Sequence, residues 1–199
     1  MKAIFFAIIG IISLSCLIRV FICDSFLVSG VSMEPTLHDG QRVFVFKTGM
    51  GARIYTKYDF SDPELHSFRM PALRKLRRGD IAVFNHPYGV HPGDISFKIN
   101  YVLIKRCAGV PGDTVKRDGC EPLYVPSRGD RILLDSVDVV HYRNQIEFET
   151  GRLPEVGEEY RFRTNWYFFV GDNAPFSLDS RHFGLVPESY IVGIVRVSL

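Results

Sequence analysis

The sequence has few cysteines and almost no excess of either charge, and each shortage excludes a class of protein. Four cysteines in 199 residues are too few for a small scaffold held together by disulfides. The 24 basic and 22 acidic side chains leave a formal net charge of +2, so we predict no nucleic acid partner. A hydrophobic fraction of 46% excludes a disordered chain, and 17 glycines and 11 prolines are too few for a fibrous one.

The spacings that hold metals and nucleotides are also absent. The six histidines include no H-x-x-x-H pair and the cysteines no C-x-x-C pair, so we predict no metal site. The glycines of GVPGD at 109–113 precede no predicted helix, which is typical of a turn and not of a phosphate-binding loop. We therefore predict no cofactor. The spacing of Cys107 and Cys120 permits a disulfide between them, but the apolar strand around Cys107 favours a buried free thiol.

One long stretch, residues 3–18, carries no charge, and apolar residues resume after Arg19. As a helix, residues 3–23 span roughly 30 Å, about the hydrocarbon core of a bilayer. We therefore expect residues 1–23 to form one membrane-spanning anchor, with Arg19 reaching the interface. Two alternatives stay open. One is a cleaved secretory signal, although no A-x-A-like site follows, and the other is a lipoprotein-type processing site at Cys16.

After Asp24 the chain consists of short apolar runs broken by Gly, Pro, Asn and Asp, which is typical of an all-β domain. We predict one mainly β, antiparallel domain over 24–199, with no long helix besides the N-terminal segment. The predicted strands are 26–29, 42–46, 80–85, 95–106, 113–117, 122–126, 159–163, 166–171 and 190–197.

A serine follows the first predicted strand, in FLVSGVSMEPTL at 26–37. The two-residue period of a strand places on one face Phe26, Val28, Gly30 and Ser32. Ser32 is either an ordinary turn residue or a nucleophile presented by a rigid strand. A nucleophilic serine needs a base, and that base need not be histidine.

A lysine lies near the end of the apolar run YVLIKR at 101–106. The strand period places Leu103 on the same face as Lys105 and Ile104 on the opposite face. If Lys105 is buried, its pKa falls from about 10.4 toward neutrality and its amine becomes a general base. If its side chain extends to solvent, it is only a surface cation. This strand alone leaves both interpretations open.

The run FVGDNAPFSLDSRHFG at 169–184 is too polar for a hairpin that only connects two strands. Asp179 and Arg181 are spaced to pair, and Ser177 is suited to orient a buried amine by a hydrogen bond. A Ser-His-Asp triad stays open as the alternative, with His38 or His182 as its base.

In four blocks the chain resembles the type I signal peptidase family, membrane-bound serine proteases that remove signal peptides from exported proteins. In family order the blocks are SGVSMEPTL at 29–37, RRGDIAVFN at 77–85, YVLIKRCAGVPGD at 101–113 and GDNAPFSLDSRHFGLVP at 171–187. Residues 47–77 resemble an extended segment of some bacterial members. Four blocks in order behind an apolar N-terminal segment make the resemblance specific.

The resemblance implies a Ser-Lys dyad, with Ser32 as the nucleophile and Lys105 as the general base. It further implies that Ser177 orients the lysine and that Asp179 and Arg181 form a supporting ion pair. The expected substrates are signal peptides of exported preproteins, bound as an added strand and cut at small residues.

The resemblance also implies a shallow apolar substrate pocket, lined by Phe26, Val28 and Ile104. The backbone N–H of Ser32 is expected to stabilise the oxyanion. Gly30 stands where some members have a serine whose hydroxyl completes the oxyanion hole, so the second donor stays open.

The expected location is a bacterial plasma membrane, with membrane lipid as a partner and the catalytic domain on the extracytoplasmic side. Two other functions stay open, a self-cleaving repressor-type Ser-Lys protease and an inactive membrane-tethered peptide-binding module. The apolar N-terminal segment counts against the first, and the presence of both Ser32 and Lys105 counts against the second.

Overall fold

The structure, a computed structural model, describes residues 2–57, 59, 62, 64–87, 95–117 and 119–196. Within these residues the α-helices are Lys2–Phe21 (α1), Ser136–Thr150 (α2) and Ser180–Phe183 (α3). The strands β1 to β13 are, in chain order, Cys23–Leu27, Arg42–Phe46, Arg53–Tyr55, Ser67–Arg69, Ile81–Asn85, Val102–Gly109, Thr114–Arg117, Cys120–Tyr124, Arg131–Leu133, Glu159–Arg161, Trp166–Val170, Val186–Pro187 and Ile191–Arg196.

The largest unit is a seven-stranded sheet in the order β1-β2-β13-β5-β6-β11-β12. All of its neighbouring strands are antiparallel. Three two-stranded ladders accompany it, β3-β4, β7-β8 and β9-β10. The predicted mainly β, antiparallel architecture is therefore confirmed. β1 lies at one edge of the large sheet, while β6 lies in its interior between β5 and β11.

Alternating residues of the sheet strands pack into separate apolar clusters, as the two-residue period requires. Val43 and Val83 belong to one cluster and Phe84 and Phe169 to another, and all four are fully buried. A third cluster surrounds Trp166 and packs against α2. The sheet is thus covered by apolar side chains on both faces, which makes it a rigid frame for the segments between its strands.

Helix α1 stands apart from these clusters. Its window Ile4–Phe21 spans 18 residues, is long and apolar enough to cross a membrane, and has no buried residue. An apolar helix with no buried residue is unfavourable in water but is the expected form of a segment solvated by lipid.

The prediction that no second long helix exists is wrong, because α2 fills 15 residues. Asp135 caps its N-terminus by accepting hydrogen bonds from two backbone N–H groups, and Asp138 completes the capping box. Gly151, at φ 72°, ends the helix. Only three residues of α2 are buried, Tyr142, Gln145 and Ile146. Because the buried side is this narrow, the sequence of α2 shows little apolar periodicity.

Several strand boundaries also differ from the prediction. β1 covers Cys23–Leu27 instead of 26–29, so Gly30, at φ 86°, and Ser32 lie in the loop after the strand and do not continue one strand face. β8 and β10 are also displaced or shortened relative to the predicted 122–126 and 159–163.

The predicted strand 95–106 begins only at Val102, as β6, because residues 95–101 form a loop with a turn at 99–100. The last strand ends at Arg196, and residue 197 lies outside the described residues. Cys107 is buried and unpaired, and burial raises the pKa of its thiol to about 12. The side chain of Cys120 lies outside the described part of the chain.

Residues 47–77 contain the hairpin β3-β4, which is attached to the main sheet by arginines. Arg53 is 7% exposed, and its guanidinium donates to Oδ1 of Asn85 at 2.8 Å and to the carbonyl of Ile191 at 3.1 Å. Arg69 donates to the carbonyls of Glu188 and Ser189 at 3.1 Å each. Arg69 also donates to the carbonyl of Ile191. Together these bonds reach the end of β5, the residues just before β13 and the first residue of β13, and they hold the hairpin against the sheet.

We predict that Arg53→Ala lowers the free energy of unfolding by about 1–3 kcal/mol, because it leaves the buried Oδ1 of Asn85 without its donor and removes one of the two arginine donors to the carbonyl of Ile191. Urea denaturation measures this loss. Arg143→Ala, on the exposed side of α2, is the matched control and should change stability by less than about 0.5 kcal/mol. Equal losses in the two variants would show that Arg53 does not hold the hairpin.

Candidate active site

Ser32 lies in a loop that leaves β1 and returns to β2. The neck of the loop is closed by two backbone hydrogen bonds, from the N–H of Val28 to the carbonyl of Gln41 at 2.8 Å and from the N–H of Gly40 to the carbonyl of Val28 at 3.0 Å. Two side chains anchor the loop in the core, Met33 and Leu37, which are 1% and 0% exposed. Ser32 is therefore presented by a short, doubly anchored loop, as a nucleophile requires.

Gly30 lies two residues before the serine, with a φ of 86° that L side chains rarely adopt. Its N–H donates to Oδ1 of Asp39 at 2.7 Å. The sequence did not indicate this contact, which holds the two arms of the loop together. Because Gly30 has no hydroxyl and its N–H is already bonded, it is not available as an oxyanion donor in this arrangement.

Lys105 lies on β6, opposite Ala82 of β5. Its side chain is 3% exposed, and its Nζ lies 2.6 Å from Oγ of Ser32. The amine also donates to the carbonyl of Ile104 at 3.1 Å. Of the two interpretations open for this lysine, burial holds and extension to solvent does not.

The surroundings of Lys105 shift the protonation equilibrium of its amine toward the neutral form. Burial lowers the pKa of the amine, and the negative charges of Asp179 and Asp172 act in the opposite direction without restoring the ordinary value. A neutral amine at hydrogen-bond distance from a hydroxyl is suited to accept its proton.

Asp179 is fully buried and forms the centre of the polar loop. Its carboxylate pairs with Arg181 at 2.7 Å and accepts hydrogen bonds from the hydroxyl of Ser177 at 2.7 Å and the N–H of Gly171 at 2.9 Å. Burial alone would raise the pKa of Asp179, but Arg181 and these donors lower it to about 2. The hydroxyl of Ser177 is thus turned toward Asp179, whereas the Lys105 amine bonds to Oγ of Ser32 and to the carbonyl of Ile104.

Gly171 lies where the polar loop passes close to the serine loop. A Cβ atom at this position would lie 2.1 Å from Oγ of Ser177 and 2.6 Å from the carbonyl oxygen of Ser32. The absence of a side chain therefore allows these two segments to touch, which the sequence alone did not indicate.

Further contacts between the two loops also went unpredicted. Asn173 donates its N–H to the carbonyl of Ser32 and its side-chain amide to the carbonyl of Val31, both at 3.0 Å. Arg106 forms a bidentate pair with Asp172, at 2.7 and 2.6 Å. The polar character of 171–173 and the Lys-Arg pair at 105–106 were the only signals for these roles.

Arg106, the residue after Lys105 in β6, also contacts the loop that carries Ser32. Arg106 donates to the hydroxyl of Thr36 at 3.2 Å and to the carbonyl of Gly79 at 2.8 Å. One side chain of β6 therefore touches the loops on both sides of the dyad, and this limits how far Ser32 and Lys105 can move apart.

The residues expected to line the substrate pocket come together in one apolar cluster. Val28 is buried, and Phe26 and Ile104 are partly buried against the same cluster. Leu103 packs against the opposite cluster, so Ile104 lies on the face that the strand period assigned to it. Gly30 is exposed at the edge of this region.

The two histidines considered as alternative bases have other neighbours. Nδ1 of His38 lies 3.8 Å from a carboxylate oxygen of Glu34, and its side chain is 68% exposed. Nδ1 of His182 accepts from the N–H of Asp179 at 3.3 Å. Within the described residues, no group of three or more His, Cys, Asp or Glu side chains is placed to hold a metal ion.

The chain also matches known proteins over most of its length. A family model described as signal peptidase, peptidase S26, matches residues 1–199. The chain is 34% identical over 190 residues to signal peptidase I T of Bacillus subtilis (strain 168), covering 94% of this chain and 79% of that one. It is 31% identical to signal peptidase I of Bacillus licheniformis over 193 residues, covering 94% and 82%.

A third relative matches nearly end to end. The chain is 31% identical over 199 residues to signal peptidase I V of Bacillus subtilis (strain 168), covering 98% of each chain. A full-length match to the family model, together with relatives of this identity and coverage, shows the family. The chain belongs to the signal peptidase family, peptidase S26.

Proposed function

We propose that this chain is a type I signal peptidase, an endopeptidase that removes signal peptides from exported preproteins with a Ser-Lys dyad. Family membership supports the activity. The observation that carries the mechanism is the distance of 2.6 Å between Oγ of Ser32 and Nζ of the buried Lys105.

In the proposed mechanism, the neutral amine of Lys105 takes the proton of the Ser32 hydroxyl as Oγ bonds to the scissile carbonyl carbon. The ammonium then gives that proton to the leaving amine, the peptide bond breaks, and an acyl-enzyme remains. Lys105, neutral again, next deprotonates a water molecule whose oxygen attacks the ester. The acyl group leaves as a carboxylic acid and Ser32 recovers its proton.

The loop from 171 to 181 has a supporting role in this mechanism. Ser177, Asp179 and Arg181 fix the loop by their mutual contacts. The loop in turn holds the carbonyl of Ser32 through the N–H of Asn173. Its effect is to keep Oγ aligned with the amine, because small displacements of a nucleophile are costly in rate. We assign the first oxyanion donor to the backbone N–H of Ser32 and none to Gly30.

We propose that the substrate lies as an extended chain against the apolar cluster of Phe26, Val28 and Ile104. Alternate side chains of an added strand face the enzyme, so the cleaved residue and the second residue before it would enter this region. The cluster is already filled by packed side chains, which leaves room only for small substrate residues such as alanine.

We further propose that residues 1–23 anchor the protein in a bacterial plasma membrane and that 24–199 form the catalytic domain on its extracytoplasmic side. The apolar window of α1 supports an anchor in contact with lipid. A signal peptide is itself held in the membrane, so a tethered enzyme meets it at a raised effective concentration.

We predict that Ser32→Ala and Lys105→Ala each lower kcat/KM by at least about 1,000-fold, because each removes one half of the nucleophile and base pair. Cleavage of a preprotein by the full chain in lipid vesicles measures the loss. His38→Ala and His182→Ala are the controls and should retain activity. An equal loss of kcat/KM in either histidine variant, with unchanged Tm, would contradict the dyad and indicate a triad.

The proposed base also predicts the pH dependence. Because Lys105 must lose a proton before it acts, kcat/KM should rise with pH through the lowered lysine pKa and reach an alkaline optimum. Asp172 raises this pKa, so Asp172→Asn should move the rising limb to lower pH. Glu147→Gln, an exposed carboxylate on α2, should leave the limb in place. A limb rising between about pH 4 and 5 would instead indicate a carboxylate base.

Asp179 should stabilise the fold in a pH-dependent way. Its folded pKa of about 2 lies below the ordinary value of 3.8, so its stabilisation is complete above the unfolded pKa and is lost as pH falls through the folded one. At neutral pH, Asp179→Asn should lower the free energy of unfolding by about 2 kcal/mol. Thermal unfolding of both proteins from pH 7 to pH 2.5 should show the difference shrinking below about pH 4. A difference that does not change with pH would contradict the assigned pKa.

A further inference from the structure

The apolar helix and the main sheet are joined without a linker. Helix α1 ends at Phe21 and β1 begins at Cys23, so only Ile22 lies between them. The N–H of Ile22 still donates to the carbonyl of Ile18 at 2.9 Å, as in a helix. The helix therefore passes directly into the edge strand that leads to the Ser32 loop.

A lysine from the end of β2 crosses this junction. Nζ of Lys47 donates to the carbonyl of Arg19, in the last turn of α1, at 2.6 Å. The same amine lies 3.4 Å from Oδ2 of Asp24 in β1. The backbone N–H of Lys47 donates to the carbonyl of Ile22 at 2.8 Å. One residue thus contacts the helix, the connecting residue and the strand.

The chemistry of these contacts favours a fixed junction. The last carbonyls of a helix have no intrahelical partner and carry partial negative charge, so a lysine there is stabilising. The side chain of Lys47 is only 16% exposed, which shields its bonds from water. Arg19 adds a contact across the same junction, with Nε and Nη2 at 3.2 and 3.1 Å from Oδ1 of Asp24. Rotation at Ile22 would break the bonds from Lys47 to α1.

We propose that Lys47 is a positioning residue that fixes the angle between the membrane helix and β1, and thereby the height of Ser32 above the membrane. This inference rests on the proposed function. From Phe21 to Ser32 the chain covers eleven residues, at most about 40 Å when fully extended. A rigid connection makes the actual height constant.

A constant height has a consequence for substrate choice. The apolar segment of a signal peptide also ends at the membrane surface, so the number of residues between that end and the scissile bond decides whether the bond reaches Ser32. The enzyme then selects its cleavage site by spacing as well as by small side chains. A hinge at Ile22 would relax the spacing and leave the chemistry at Ser32 unchanged.

Lys47→Ala tests this role cleanly, because Asp24 keeps Arg19 as its partner and no carboxylate is left unpaired. The full chain in vesicles would be given membrane-inserted preproteins whose apolar segment and small-residue site are separated by spacers that differ by one residue at a time. Cleavage rates and the N-termini of the products are measured, together with cleavage of a short soluble peptide. Lys116→Ala, at an exposed lysine, is the control, and Lys47→Arg tests rescue.

We expect wild type, Lys116→Ala and Lys47→Arg to share one sharp optimum of spacing. In Lys47→Ala the preference for the optimal spacer over one that is two residues longer should fall by about tenfold, while peptide cleavage stays unchanged. An unaltered spacing profile would overturn the proposal, and so would an equal loss of cleavage on all substrates. A wild-type protein that cleaves neither substrate would contradict the proposed function itself.

Discussion

Proton transfer from Ser32 to Lys105 depends on keeping a lysine amine out of water. In solvent this amine would hold its proton at neutral pH and could accept none from a hydroxyl. On β6 it is buried, 3% exposed, and its amine lies 2.6 Å from Oγ of the partly buried Ser32. The nearby carboxylates are occupied by arginines, Asp179 by Arg181 and Asp172 by Arg106. Their charge is thereby partly neutralised before it can stabilise the ammonium.

Two separate segments bring the serine to that amine. The loop of Ser32 is anchored in the core by the buried side chains of Met33 and Leu37, and Asn173 of the polar loop donates two hydrogen bonds to its backbone. The approach is tight enough that Gly171 has no room for a methyl group. Since each segment also bonds to the main sheet or its neighbours, the geometry of the pair follows from the rigidity of the whole domain.

The sequence predicted the parts of the molecule that depend on local pattern. Alternating apolar residues identified the strands that form most of the large sheet, and the uncharged N-terminal run identified α1. The family resemblance brought together Ser32 and Lys105, which are far apart in the chain. Helix α2 was missed because few of its residues are buried, although Asp135 and Gly151 mark its ends. The short strands β3, β4, β9 and β12 were missed because two or three residues show no period, and β10, equally short, was predicted only as part of the longer run 159–163. The contacts of Asp39, Lys47 and Asn173 depend on tertiary approach, which no local pattern records.

The most direct test of this account is the pKa of the Lys105 amine in the folded protein. It is measured by NMR titration of protein carrying isotope-labelled lysine, with the signal assigned by its loss in Lys105→Arg. We expect a midpoint below the ordinary value of 10.5, coinciding with the rising limb of activity. A midpoint at or above 10.5 would mean that the amine is charged at working pH, and Lys105 could then not be the base.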